Sequence, residues 1–367
     1  MTERDQAAAE LAVVIVSYNV RDLLAACLRA TMASLAQSGY AELGRAAPEA
    51  IAGSPAAATV IVVDNASTDG SAEMVAAEFP GVRLIASPTN HGFAAGNNLA
   101  LRLLGFNSPL GLEGAAARNT QHAIRNPQSA PPQFVLLLNP DAEPLGDAIG
   151  RMAGYLAAHP QVGGVGAQLQ YPDGRFQHGA FHFPDLWQLW FDFFPPRPRR
   201  LLDSRLNGRY PRARYAAGQP FPIDFALGAA LMARREAIQA AGLLDEEYFM
   251  YAEEVDWCWR IRRAGWPFYC VPAARVIHHG GASTRQFRAQ SFMNLWQSRQ
   301  RLYDRFYGPG QRALAGVIVR VGMWAETRRA RAAAAGGAIS AEELAARLAA
   351  TRAVQALFAR NNSQTGG

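Results

Sequence analysis

Thr59-Val60-Ile61-Val62-Val63, running directly into Asp64-Asn65-Ala66-Ser67-Thr68-Asp69-Gly70, decides the fold. An unbroken β-branched run with no polar alternation describes a strand covered on both faces. The polar loop after it is built of residues that turn and cap a chain, and helical spacing from Ser71 to Glu78 completes a strand, a loop and a helix. The same unit stands upstream, where Leu11 to Val16 ends at Ser17-Tyr18-Asn19 and a helix is predicted from Asp22 to about Leu35. It recurs downstream: Val82 to Ala86 predicts a strand, Asn90 to Asn98 a polar Gly-rich turn, and Leu99 to Leu104 a helix. Phe134 to Leu138 is a further buried strand and runs into Asn139-Pro140-Asp141-Ala142-Glu143-Pro144. Alternation of this kind predicts an α/β sheet with helices on both faces and ligands at the carboxyl ends of its strands.

The remainder is less regular. A helix is predicted from Leu145 to about His159 and a strand near Val162 to Leu169, followed by an irregular Pro/Arg/aromatic stretch from Phe181 to Arg214. Order returns from Asp224 through the acidic Glu253 to Trp259 segment, a strand near Phe268 to Val271 and the turn His278-His279-Gly280-Gly281. Beyond about Arg285 the composition becomes Arg/Ala-rich helix, with a frayed tail from Asn361. The expected organisation is therefore one α/β domain over residues 1–285, interrupted by insertions at about 36–58 and 105–132, then a helical extension over 286–367.

Composition narrows the class. Half of the 367 residues are apolar and 18% are charged, which fits a globular protein and excludes a disordered one. All 36 basic residues are arginine, against 30 acidic ones, and the resulting +6 permits anionic partners without choosing among them. Three widely spaced cysteines form no CxxC pair, so neither a disulfide framework nor a zinc site is expected. The acidic, polar start and the absence of a long uninterrupted apolar run favour a cytoplasmic protein, with attachment to a membrane surface left open.

Four polar clusters close buried strands or open helices: Ser17 to Asn19, Asp64 to Gly70, Asn90 to Asn98, and Asn139 to Glu143. Any one of them reads equally as an ordinary cap or turn, but strand ends of one parallel sheet converge on one pocket. Asp141, at the end of the most apolar strand, can bind a hard divalent cation through oxygen, or simply cap the next helix. His278 leaves a strand into a Gly turn; paired with Asp141 it makes a two-ligand site for Mg²⁺ or Mn²⁺, with a bound diphosphate completing the shell. Glu253, Glu254 and Asp256 crowd three carboxylates beside Trp257 and Trp259. On a helix, Glu253 and Asp256 share a face with Arg260 as a structural ion network while Glu254 points elsewhere. Crowded acids against aromatic surface also favour one with a raised pKa, suited to general-base work.

Taken in order, the motifs resemble those of family 2 inverting glycosyltransferases, most of all the rhamnosyltransferase-like branch. The resemblance rests on Val13 to Asn19, Val62 to Ser71, Asn90 to Asn98, Leu138 to Asp141, Gly228 to Arg235, Phe249 to Asp256 and His278 to Gly281, and covers roughly residues 11 to 285. It implies a GT-A fold, a Rossmann-like mixed central sheet flanked by helices, and a nucleotide-diphosphate sugar donor with a divalent cation, Mg²⁺ or Mn²⁺. By that resemblance Ser17, Tyr18 and Asn19 line the nucleotide pocket and Asp64, with Asn65 beside it, meets a pyrimidine base, so that the donor is dTDP- or UDP-linked. Asn90, Gly92, Gly96 and Asn97 help hold the donor, and Asn139 stands where many relatives carry the first Asp of an Asp-x-Asp motif. Asp141 and His278 are the implied metal ligands. Glu254 matches the catalytic base, one methylene longer than the Asp usual there, with Glu253 and Asp256 as competitors.

The implied reaction is a single, inverting, non-processive transfer, possible rhamnose included among the donors, to a glycan or lipid-linked acceptor of a cell-surface polysaccharide. Gln-x-x-Arg-Trp, the mark of processive synthases, is absent. Trp187 to Arg200 and Arg312 to Arg331 could lie on an anionic membrane that carries the acceptor, or form a packed helix with a solvated Arg face. Two other classes compete with this reading: a catalytically weak relative that binds a nucleotide sugar or glycan, supported only by Glu254, and a nucleic-acid binder. No nucleic-acid motif accompanies the scattered arginines, so no nucleic-acid partner is expected.

Overall fold

The computed structural model describes residues 10–42, 57–107, 130–197, 199–280 and 288–360. Most of both expected insertions, the last Gly of the His-His-Gly-Gly turn and the C-terminal tail lie outside the described residues. The chain divides into two compact units, one formed by 1–181, 213–249 and 253–283, the other by 182–212, 250–252 and 284–367.

The larger unit opens with β1 (Leu11–Ser17), α1 (Arg21–Gln37), β2 (Ala41–Glu42), β3 (Ala57–Asn65), α2 (Ser71–Glu78), β4 (Arg83–Ser87) and α3 (Gly92–Leu103). It continues through β5 (Phe134–Leu138), β6 (Ala142–Pro144), α4 (Ala148–Ala158), β7 (Gly164–Gln170), β8 (Phe176–Gln177) and β9 (Ala180–Phe181). After α5 (Leu186–Phe193) of the smaller unit and α6 (Arg212–Ala216) come β10 (Phe221–Ile223), β11 (Phe225–Ala226), β12 (Ala230–Arg234) and α7 (Arg235–Ala241). Then come α8 (Glu253–Arg263) and β13 (Phe268–His278). The main sheet runs β10-β13-β7-β12-β5-β1-β3-β2, with β4 also on β3, β6 on β13 and β8 on β7. β1, β3, β4 and β5 are parallel, whereas β12 is antiparallel to both β5 and β7, so the sheet is mixed, as expected.

Every residue of β1 and β5 is buried, which is why both read as continuous apolar runs rather than alternating ones. Register then decides where the polar loops fall. Ser17 lies opposite Asp64, Asp64 opposite Ala86, and Ile15 opposite Leu138, so the loops after β1, β3, β4 and β5 leave one edge of the sheet together. Ala230, at the start of antiparallel β12, pairs with Leu138 at that same edge.

Three local expectations differ from the structure. Asn90 to Asn98 is not a turn: α3 starts at Gly92, despite the poor helix propensity of Gly and Asn. Tertiary packing overrides propensity there, because a Cβ on Gly96 would come within 2.8 Å of the Val16 side chain, so only Gly lets α3 lie this close to β1. The strand expected near Phe268 to Val271 and the strand that His278 leaves are one strand, β13, with a register shift against β7 between Val271 and Arg275. The shift is the bulge expected of a Pro such as Pro272 inside a strand. The stretch from Phe181 to Arg214 contains α5, whose start is capped by Asp185 accepting a 2.9 Å hydrogen bond from the Gln188 amide.

In the smaller unit, α5 joins α9 (Arg288–Phe306), α10 (Pro309–Ala335) and α11 (Ala341–Arg360). Phe193 stacks on Trp296 with ring centroids 5.3 Å apart, and a Cβ on Gly322 would strike the Phe193 ring at 2.3 Å, so α10 crosses α5 at a glycine. Asp192 pairs with Arg299 at 2.7 Å. Among the described residues, no helix is long and apolar enough to cross a membrane.

Candidate active site

The loops at the carboxyl edge of the sheet brace one another. The Asn19 amide donates to Ser67 Oγ (3.0 Å), and Asn19 Oδ1 accepts from the Thr68 amide (2.7 Å), tying the loop after β1 to the loop after β3. Asp69 accepts from the amides of Arg21 (2.9 Å) and Ser71 (3.1 Å), and Asp64 Oδ2 accepts from the Ser67 amide (3.0 Å). Asn65 Nδ2 reaches Gly92 O at 2.9 Å, which joins β3 to the start of α3, while Asn90 Oδ1 accepts from the Gly92 amide at 2.9 Å. Gly92 has φ +82°, and a Cβ there would lie 2.2 Å from Phe249 O, so its small size holds the Phe249 backbone against α3. Tyr18 is half-buried beside this network.

After this bracing, several polar atoms are left over. Ser17 Oγ, Asp64 Oδ1, Asn65 Oδ1 and Asn97 Oδ1 are buried and have no hydrogen-bond partner among the described residues. Buried polar atoms are nearly always paired, so a cluster of orphans on loops sharing one sheet edge marks a place where a polar ligand completes the set. Asn97 Nδ2 spends itself on Phe93 O (2.8 Å), and Gly96 serves packing. The backbone itself is unusual here: Asn19 and Ala66 both have positive φ. Left-handed backbone at non-glycine residues concentrates at functional sites.

Asn139, Asp141 and His278 come together although 139 residues separate the first from the last. The antiparallel pairing of β6 with β13 does this, setting Ala142 opposite His278, with the His279 amide donating to Asp141 O at 3.0 Å. His278 Nε2 lies 3.5 Å from Asp141 Oδ1 and 3.4 Å from Asn139 Nδ2. Its other nitrogen, Nδ1, is 3.3 Å from Gln177 Oε1 on β8. Without a cation an Nε2–H faces Asp141; with a cation bound, a proton on Nδ1 donated to Gln177 would free the Nε2 lone pair for the metal. Burial pushes the Asp141 carboxyl up, but the hydrogen bond and charge of His278 outweigh it and hold the group below the ordinary aspartate range. An anionic oxygen and an imidazole lone pair 3.5 Å apart fit a single cation with ligand distances of about 2 Å. Among the described residues no group of three or more His, Cys, Asp and Glu converges, so most of the shell would fall to ligand oxygens and water. His279 is engaged elsewhere, 2.8 Å from Glu143.

The acidic segment opens α8 and separates its three carboxylates. Asp256 is fully buried and pairs with Arg260 at 2.7 Å, while Arg260 also donates to Leu243 O at 2.8 Å; of the network expected from the helical spacing this is the Asp256 half, since Glu253 makes no ion pair with Arg260 among the described residues. Glu253 and Glu254 are both buried, and the Oε2 of each has no partner among the described residues. Burial raises both carboxyls above the ordinary glutamate range, and the neighbouring Glu254 pushes Glu253 further. Glu254 lies toward the strand ends: a Cβ on Gly228, just before β12, would be 3.7 Å from Glu254 Cβ and 3.8 Å from the ring of Phe93 on α3. Gln177 was absent from the sequence reading, and a two-residue strand offers no pattern that could have flagged it.

The chain is similar to known glycosyltransferases. Residues 12–104 match the model of glycosyl transferase family 2. The chain is 28% identical over 231 residues to an N-acetylglucosaminyl-diphospho-decaprenol L-rhamnosyltransferase of Mycobacterium tuberculosis, covering 62% of this chain and 68% of that protein. It is 31% identical over 70 residues to rhamnosyltransferase WbbL of Escherichia coli strain K12, 19% of this chain and 26% of that one. Among solved structures, a mannosyltransferase of Pyrobaculum calidifontis in complex with GDP-Man and Mn²⁺ is similar over 95% of this chain and 84% of that one, at 19% identity and a TM-score of 0.49. The ordered strand-end motifs, the mixed sheet that gathers them and the family match lead to one assignment: residues 12–104 carry a glycosyl transferase family 2 domain, and the chain is a glycosyltransferase.

Proposed function

We propose that the protein transfers one sugar, with inversion at the anomeric carbon, from a dTDP- or UDP-linked donor to a hydroxyl of a lipid-linked glycan. The observation that carries this reading is the approach of Asp141 and His278, 3.5 Å apart, at the sheet edge that also holds the orphaned polar atoms. Rhamnose is the favoured sugar and a lipid-linked acceptor the favoured partner, because the relatives from M. tuberculosis and E. coli are rhamnosyltransferases and the first acts on a diphospho-decaprenol.

In this reading Ser17, Tyr18, Asn19, Asp64 and Asn65 bind the nucleotide, and Asn90, Asn97 and Asn139 orient the rest of the donor. Asp141 and His278 would hold a divalent cation, which when bound neutralises charge on the diphosphate. Glu254 accepts the proton of the acceptor hydroxyl as that oxygen bonds to the anomeric carbon and the bond to the diphosphate oxygen breaks on the opposite face. Burial of Glu254 supports this role, since a carboxylate short of hydrogen bonds is a stronger base. A binding protein without transfer activity gains nothing from such a group.

The test is calorimetric titration of the purified protein with dTDP and UDP, each with and without Mn²⁺, repeated on Asp141→Ala, followed by transfer from dTDP-rhamnose to a lipid-linked N-acetylglucosamine. Metal-dependent nucleotide binding that the substitution abolishes, together with inverted product, is expected. Binding of neither nucleotide under any metal condition would overturn the donor-site assignment.

A further inference from the structure

The two compact units carry opposite charge. The smaller has 19 arginines against 7 acidic residues, a net +12, whereas the larger has 17 against 23, a net −6. The modest +6 of the whole chain conceals this partition. Apolar exposure follows the basic unit as well. On α10, Leu314, Val317, Val321 and Trp324 are exposed, and their spacing of three and four residues puts them on one helical face. The opposite face, with Ala315, Ile318, Val319, Gly322 and Met323, is buried. On α5, which packs against α10 through Phe193 and Gly322, Trp187 is 59% and Trp190 38% exposed.

Arginines frame the stripe. Arg320 is exposed between Val317 and Trp324 along the helix, Arg328 lies over the Trp324 ring at 5.0 Å, and Arg331 continues the exposed face one turn on. We propose that this face of α10 docks the protein on an anionic lipid bilayer. An aliphatic stripe edged by Trp and Arg enters the boundary between headgroups and acyl chains while its guanidiniums stay with the phosphates. A second copy of the chain is a poor occupant, since two units of +12 would meet face to face. Nucleic acid answers the arginines and tryptophans, but it offers nothing to Leu314, Val317 and Val321. The inference deepens the reading of a lipid-linked acceptor and rests on it for its purpose, yet vesicle binding needs neither donor nor acceptor and is read apart from transfer.

The experiment is co-sedimentation of the full chain with vesicles of phosphatidylcholine alone and of phosphatidylcholine with phosphatidylglycerol, beside gel-shift titration of single-stranded RNA at the same salt. Binding to the anionic vesicles at least about tenfold tighter than to the neutral ones is expected, and weaker at high salt. Val321→Glu with Trp324→Glu, and separately Arg320→Glu with Arg328→Glu, should each weaken it by about tenfold or more while circular dichroism and thermal melting stay unchanged. All four positions are exposed, so the fold does not depend on them. Equal binding to both vesicles, variants that bind like the parent, or capture of RNA without capture of vesicles would overturn the proposal.

Discussion

His278 Nε2 stands 3.5 Å from Asp141 Oδ1, and the imidazole is turned to that oxygen by Gln177, which meets Nδ1 at 3.3 Å. The ring nitrogen is therefore supplied by one strand, its partner oxygen by the loop after another, and its orientation by a third element, β8. Gln177 touches neither Asp141 nor any residue expected to meet the nucleotide among the contacts described.

Gln177→Ala should thus weaken Mn²⁺ binding by about 10–100-fold, the usual cost of losing the partner that fixes a ligating histidine. Nucleotide binding measured without metal should change little. Titration of Mn²⁺ followed by electron paramagnetic resonance separates the two; equal weakening of both would mean that Gln177 contacts the donor directly.

Asp256 leads to a different expectation from Glu254, although two residues separate them. Its side chain is fully buried against Arg260, which is itself mostly covered. Asp256→Ala leaves a guanidinium in the interior without its counter-charge, at a cost of about 3–5 kcal/mol. Urea denaturation should show that loss. A variant that melts like the parent but has lost only turnover would instead return Asp256 to the catalytic competitors.

What was readable in the sequence follows from which residues act through short-range pattern. β3 and β5 were legible because burial on both faces leaves no polar residue inside the run, and the loops after them because only capping residues fit there. The Asp256 and Arg260 pair was legible from a spacing of four. Asn90 to Asn98 was misread because a glycine chosen for close approach looks, in sequence, like a glycine chosen for a turn. Gln177 was not legible at all, and for Arg312 to Arg331 the sequence left a membrane-facing and a packed helix equally open: one depends on a contact across 101 residues, the other on which face of a helix its neighbours leave exposed.

Gly96 offers a direct check on the packing of α3. A methyl group there would come 2.8 Å from Val16 and 3.2 Å from Asn65 Nδ2. Gly96→Ala should cost about 1–3 kcal/mol, the range for overpacking, even though Ala is the better helix former. Because Asn65 would be displaced, nucleotide affinity should fall together with stability. A variant stabilised by the substitution would show that α3 can lift away from β1 without consequence.

With Glu254 as the proposed base, the pH dependence of transfer follows from its burial. A base works only when ionised, so kcat/KM should be lost as pH falls through the raised pKa of the pair formed with Glu253, well above the ordinary glutamate value of 4.5. Stability moves the other way. In the unfolded chain both groups ionise near 4.5, whereas in the folded chain they hold their protons longer, so stability declines as pH rises from about 4.5 through the raised value and then levels off. Glu254→Gln, which cannot ionise, should therefore be more stable than the parent above that window while losing about 10²-fold or more of its transfer rate. Glu253→Gln should keep transfer and leave the acidic limb little moved, because burial rather than Glu253 raises the Glu254 carboxyl. Paired pH–rate profiles and denaturation curves for the two variants would distinguish these roles, and full loss of transfer in Glu253→Gln beside retained transfer in Glu254→Gln would assign the base to Glu253 instead.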